Sequence, residues 1–458
     1  MQITSTKKIF IQISDSSVNI KTLILKYINI FTGLFLLLAI FFSFTNKIIL
    51  YPVFMFWALL LLLTINLIQI QKVGVTTLWL SLISLGLYFF LSAVMSGVPI
   101  NNILSYGFFR YDGNFFVAFF PLFFLPFIFK NKIKPKGHFL AYVEGIIWFI
   151  SGVTLFLTIT YLLHHPIGSV DIYGIYFYLF KAHNAAGSFY LVMFFINFLL
   201  LLNPKYKRSR LGNLISSLIF LVALLITKSR GSIFGLLLAF FVLIINNTIP
   251  LKKFRQIIIS LLVLSLIIFN IVLLVWGYKG WIDLGKPTTT FFQEKALPSF
   301  LNTLSVEKYS RFENIADRLF YLWPRAIDDF FKSPLIGIGF TRFNDVPMYL
   351  EGIPYYLMLN TTHQNIQFNS AHAHNTFLHV MAETGIIGLF FLIVFIVNLF
   401  SFTKSINSPL SLGIYYAIWG MLGASFTEHR FFTPSGMLVI SIFIIIAYLT
   451  RLENTKLK

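Results

Sequence analysis

His374 stands directly before Asn375 and the apolar run that opens at Thr376, with His372 two positions earlier. An imidazole at that edge can take a proton from a hydroxyl near neutral pH without a metal. His374 is the candidate base, with His372 secondary on the family pattern described below, and a histidine that merely caps the following helix is the bland alternative. Asn375 has the side chain of a helix N-cap and would fix where the imidazole points. Fixed cations accompany these groups. Arg230 lies between two apolar runs behind Lys228 and Ser229, and Arg318 follows Asp317 in a polar stretch. A guanidinium is permanently charged and its planar fork suits a phosphate. At a helix end the same side chain is also an ordinary arginine reaching for water. Glu383, two turns into the apolar run, is costly there unless paired or facing water, and either orients a basic partner or serves helix packing with Gly385 and Gly388.

Other chemistries lack their residues. The chain has no Cys, so thiolate catalysis and Cys-based metal sites are excluded. HExxH, GxSxG and Walker patterns are absent, and neither a metal nor a cofactor is expected. Asp328 and Asp329 point about 100° apart on a helix, so they read as a solvated face and not as a metal-binding pair.

The elements that must position these residues are membrane helices. Hydrophobic residues make up 57% of the chain and charged ones 11%, a balance no water-soluble globule can arrange. Apolar runs able to cross about 30 Å of hydrocarbon fall near 28–46, 48–70, 76–96, 114–130, 139–163, 185–203, 212–227, 231–247, 256–276, 376–400, 410–427 and 434–450. The expected fold is therefore an all-α integral membrane protein of about twelve spans. Residues 1–27 form a basic cytoplasmic lead-in, 28–276 hold spans one to nine, 277–373 form one long loop, 374–450 hold the last three spans, and 451–458 are a tail.

The net charge of +19 does not indicate nucleic acid, because the basic residues cluster beside apolar runs as topology signals. With the first residues inside, 20 of the 35 Lys and Arg fall in cytoplasmic segments, and 12 of the 16 acids fall outside. Both ends are then cytoplasmic and the long loop external. No nucleotide is available on that face, so an enzyme there needs a substrate already carried in the membrane, such as a lipid-linked donor. Within the loop, apolar residues of 305–332 recur at helical spacing. Pro324 should break that helix, with a second piece beginning near Trp323 and stopping at Ser333-Pro334.

Several blocks together resemble the O-antigen ligase and polymerase superfamily. They are Asp317-Arg318, Trp323, Ala326, Ser333-Pro334-Leu335-Ile336-Gly337-Ile338-Gly339-Phe340, His374-Asn375-Thr376-Phe377-Leu378 and Glu383-Thr384-Gly385-Ile386-Ile387-Gly388-Leu389. Thr227-Lys228-Ser229-Arg230-Gly231, Arg110-Tyr111-Asp112-Gly113 and His183-Asn184-Ala185-Ala186 are similar to further landmarks, in the expected order. The resemblance implies a GT-C-like glycosyltransferase of the bacterial inner membrane, active at the periplasmic face. It implies a donor glycan on undecaprenyl diphosphate, a hydroxyl acceptor such as a sugar of lipid A-core, and no cofactor. Arg230 and Arg318 would hold the diphosphate, with Arg311 and Arg325 as substitutes for Arg318, and His374 would be the base. Arg110 and Asn184 would line the substrate cavity, and Glu428-His429-Arg430 in the last outer loop would contribute less. His363 and His379 have no such placement. A polymerase, or a ligase acting on a protein hydroxyl, would use the same chemistry. A lipid or solute transporter is the different class, but its charges belong near the bilayer midplane, where this sequence has few.

Overall fold

The computed structural model describes residues 35, 38–40, 57, 76–98, 100, 115–126, 139–170, 174–180, 182–203, 209–285, 315, 318–344, 372–406 and 408–450. The basic lead-in, nearly all of the first two expected spans, Arg110, Arg311, His363, the tail and most of the long loop lie outside these residues.

Every extended element among the described residues is helical, apart from one isolated antiparallel bridge between Val170 and Tyr176. In chain order these are α1 (Thr77–Met95), α2 (Phe115–Phe123), α3 (Phe139–Leu162), α4 (His183–Leu202), α5 (Arg210–Ile226), α6 (Arg230–Thr248), α7 (Lys252–Asp283), α8 (Trp323–Lys332), α9 (Thr376–Ser405), α10 (Ser411–Thr427) and α11 (Val439–Leu449). Six of them are long and apolar enough to cross a membrane, and two shorter apolar helices accompany them. This is the architecture of an integral membrane protein, with fewer described spans than the twelve read from hydropathy. The short runs at 212–227 and 231–247 are two separate helices, α5 and α6.

α4 is apolar all round and is buried along nearly its whole length, which makes it the central post of the bundle. Around it the helices approach through small residues, the device that replaces hydrophobic driving force inside lipid. Gly231 and Gly235 of α6 face Gly420, Gly423 and Thr427 of α10, and a Cβ on Gly235 would sit 2.1 Å from the Gly420 carbonyl oxygen. Gly413 of α10 also lies close on Ile196 of α4, where a Cβ would sit 2.7 Å from the Ile196 Cα. These crossings bring the ends of α6 and α10 to one place.

α7 behaves differently. It has 32 residues, of which only Gly277 and Trp281 are buried. At 1.5 Å per residue it is about 48 Å long, more than the hydrocarbon thickness of about 30 Å. The helix thus continues past the apolar run at 256–276, and its far end carries the loop: a Cβ on Gly277 would strike the Leu319 carbonyl, and Phe320 lies over Gly280. The expected break at Pro324 is present as a π-helical turn, Arg318–Leu322, running into α8 with the proline in its first turn. Trp281, Phe320, Tyr321, Trp323, Phe343, Ala373 and Leu378 form a second apolar core beside the main one. Each large side chain buried there contributes roughly 1.5–3 kcal/mol if water is the alternative. Asp329 is buried with Arg325 and Lys332 around it, so the Asp328-Asp329 pair is not the solvated face expected of it.

Candidate functional site

The two glycine-containing blocks are halves of one joint. The segment after α8 lies along α9 and exchanges backbone hydrogen bonds with it. Ile338 N donates to Ala382 O (3.0 Å), Gly339 N to Glu383 O (2.8 Å) and Ile386 N to Pro334 O (2.9 Å). α9 can accept and donate there because Gly385 leaves helical geometry, with φ 65° and ψ −167°. Gly337 opposes it at φ 74°, and a Cβ on either glycine would fall within about 2.3 Å of the other segment's backbone. Ser92 and Tyr88 of α1 cap the joint through bonds to Ile336 O (3.1 Å) and Thr384 O (3.1 Å). The joint isolates a short first piece of α9, from Thr376 to Thr384.

Asn375 starts that piece as the expected N-cap. Its Oδ1 accepts from Phe377 N (3.0 Å) and Leu378 N (3.2 Å), and its amide donates to Phe426 O (3.0 Å) at the end of α10. The residue before it, His374, is held at φ 50°, a left-handed conformation that costs about 1–2 kcal/mol for a residue with a Cβ. The turn directs the imidazole to the end of α10, where Nδ1 lies 2.8 Å from Glu428 Oε2.

Glu428 is the centre of the site. It follows the last residue of α10 and is buried. Arg318 donates from Nη2 to Oε1 at 2.7 Å and from Nη1 to the Thr427 carbonyl at 3.0 Å. Asn184 Nδ2 donates to Oε1 at 3.2 Å, and Arg430 Nη2 reaches Oε2 at 3.4 Å. Behind Asn184, Ser229 Oγ donates to its Oδ1 at 3.1 Å. Arg230 follows Ser229 as the first residue of α6, exposed, and Gly231 after it rests against Thr427 and Glu428. Lys228 is exposed too, in the left-handed turn between α5 and α6 at φ 49°. Thus α4, α6 and α9 present their N-termini, the partly positive ends of helices, around one carboxylate.

The electrostatics follow from burial among fixed cations. Burial opposes ionisation of Glu428, but the Arg318 charge, the hydrogen bond from His374 and the Arg430 charge override it and hold the carboxyl well below the usual range. Burial first, and the Arg318 charge second, push the His374 imidazole down to about 3, against the pull of Glu428. A neutral imidazole beside a carboxylate carries its proton on the nitrogen that faces the carboxylate. Nδ1 of His374 is therefore the donor to Glu428, and Nε2 keeps a free lone pair.

Of the residues singled out in the sequence, His374, Asn375, Arg318, Asn184 and Ser229 meet here, with Arg230 beside them. His372 is buried next to the group, its Nδ1 accepting from His374 N at 3.4 Å, and its ring packs 4.4 Å from that of His374 and 5.3 Å from that of His429. Glu383 does not bond to Glu428. It holds His379 Nε2 (3.4 Å) and the Phe343 amide (3.2 Å) under the joint. His379, read as a bystander, packs edge-on against His429, with ring centroids 4.3 Å apart. Arg325, the substitute for Arg318, is committed to the Phe343 carbonyl at 2.8 Å and to its ring. Glu428 is the residue sequence reasoning undervalued; its only signal was an acid between expected spans, followed by His429 and Arg430. Among the described residues, no group of three or more His, Asp or Glu could hold a metal ion.

The chain matches no curated protein. Residues 215–393 match the Wzy_C family, described as O-antigen ligase, and the matched segment holds Arg230, Arg318, His374, Asn375 and Glu383. The match covers 179 of the 458 residues and, with the motif order and a membrane-helical fold around those residues, supports a place in the O-antigen ligase and polymerase superfamily.

Proposed function

We propose that this protein is a metal-independent glycosyltransferase that moves a glycan from undecaprenyl diphosphate to a hydroxyl acceptor, taken as lipid A-core, at the periplasmic face of the inner membrane. The observation that carries the reading is the 2.8 Å bond between His374 Nδ1 and Glu428 with Arg318 on the same carboxylate. It supplies an oriented base and a fixed cation within one site. His374 Nε2 takes the proton of the acceptor hydroxyl as its oxygen bonds to the anomeric carbon. The bond from that carbon to the diphosphate breaks, and its electron pair leaves with the diphosphate. Arg318 has five N–H donors, and two are used by Glu428 and Thr427, so others remain for phosphate oxygens. Arg230, at the exposed N-terminus of α6, would be the second cation, where helix geometry favours an anion.

Reconstituted protein with undecaprenyl-diphosphate glycan tests this, offered lipid A-core in one tube and donor alone in another. Transfer to lipid A-core that is lost in His374→Ala is the expected result. Lengthening of the glycan in the donor-only tube would make the chain a polymerase, and His374-independent behaviour in both would overturn the assignment.

A further inference from the structure

The two groups that would meet substrate share a single buried carboxylate. Arg318 and His374 have side chains 21% and 19% exposed, whereas Glu428 is 4% exposed and divides its oxygens between them: Oε1 to Arg318 at 2.7 Å, Oε2 to His374 at 2.8 Å. Asn184 also holds Oε1 and is itself oriented by Ser229, so the carboxylate cannot rotate without breaking a chain that reaches α6. We propose that Glu428 is a positioning residue that couples occupation of the donor diphosphate site to alignment and strengthening of the base, a role that rests on the glycan-transfer reading above.

With the site empty, Arg318 spends its charge on Glu428 and little of the carboxylate's field is left for His374. A diphosphate that draws on Arg318 withdraws that cation from Oε1. The carboxylate then acts on His374 alone, stabilising the imidazolium that forms as the acceptor proton arrives. The base is weak until a leaving group is in place. No atom is transferred to Glu428 in this step. The proton ends on His374 Nε2 and the electron pair on the diphosphate.

The coupling predicts opposite changes that a packing role would not produce. Glu428→Gln releases Arg318 from its counter-charge, so undecaprenyl diphosphate should bind about 5-fold or more tightly. Single-turnover release of undecaprenyl diphosphate from a lipid-linked glycan, with lipid A-core present, should slow by about 10²-fold or more because the imidazole loses its orienting charge. Glu428→Asp, one methylene shorter, cannot span both groups and should show the same split in smaller measure. It carries the test if the Gln variant does not fold. Binding and turnover falling together in the folded variants, or neither changing, would overturn the coupling while leaving the transfer reading intact. Wild-type protein that binds undecaprenyl diphosphate no better than undecaprenyl monophosphate would overturn both.

Discussion

His374 combines a left-handed backbone, a carboxylate partner and a neutral ring, three features that a helix cap alone does not require. Its replacement by Ala should lower transfer by about 10²-fold or more while undecaprenyl diphosphate still binds. Arg318→Lys and Arg230→Lys should each reduce transfer, because the charge stays while the planar fork is lost; full activity in both would remove the diphosphate role. The ring also makes stability depend on pH. An unfolded imidazole protonates near its ordinary 6.5 and the folded one only near 3, so the stabilisation is complete above pH 6.5 and is lost as pH falls through that interval. The slope is on the order of 1 kcal/mol per pH unit. Glu428, also held below its ordinary 4.5, adds its loss only at lower pH. Thermal unfolding between about pH 7 and about pH 5 should show a fall in Tm that is shallower in His374→Asn. At this scale the sequence exposed the imidazole, the arginines and the cap, since their chemistry resides in residue type and local spacing. Glu428 was given only a lesser part in the cavity because a lone acid in a short loop looks like any other until its neighbours are known.

At the scale of elements, the site depends on the joint between the loop segment 334–339 and α9. Gly385→Ala would force a Cβ into a position 2.3 Å from the Leu335 carbonyl oxygen at φ 65°, so it should destabilise the protein by several kcal/mol, read as a drop in Tm and lost transfer. Gly152→Ala is the control. It lies in α3 with no atom within 4 Å of the new methyl, and should leave Tm unchanged or slightly raised. The apolar runs read from hydropathy agree with the helices to within a few residues from α3 to α6, because composition and length alone decide whether a segment can span. α7 outruns its apolar stretch, since its polar end is held by packing on Leu319 and Phe320 and not by lipid. The Gly motifs were read as helix approach. Gly388 does lie against Tyr88, whereas Gly385 breaks the helix to accept the loop.

For the molecule as a whole, the site residues gather at one end of the helices, and among the described basic residues Arg210, Lys252, Lys253, Arg255 and Lys404 belong to the other, as α5, α6, α9 and α10 alternate in direction. The positive-inside rule then favours the external site proposed above. The chain lacks Cys, so single-cysteine variants report orientation directly. Lys228→Cys and Lys332→Cys should react with an impermeant maleimide on intact spheroplasts, and Lys252→Cys and Lys404→Cys only after permeabilisation. The reverse pattern would place the site in the cytoplasm and remove the lipid-linked donor argument.

Membrane residence, helix positions, the absence of thiol chemistry and the choice of a candidate base with its cap all follow from composition and local order, because lipid selects segments by length and apolarity one at a time. The partnership of Glu428 with Arg318, Asn184 and His374 does not. It joins α4, the loop, α9 and α10 across separations of 54 to 244 residues, and it exists because glycine-lined crossings bring three helix N-termini onto one helix end. No local pattern encodes which distant charge a buried carboxylate will find; that depends on how the helices pack.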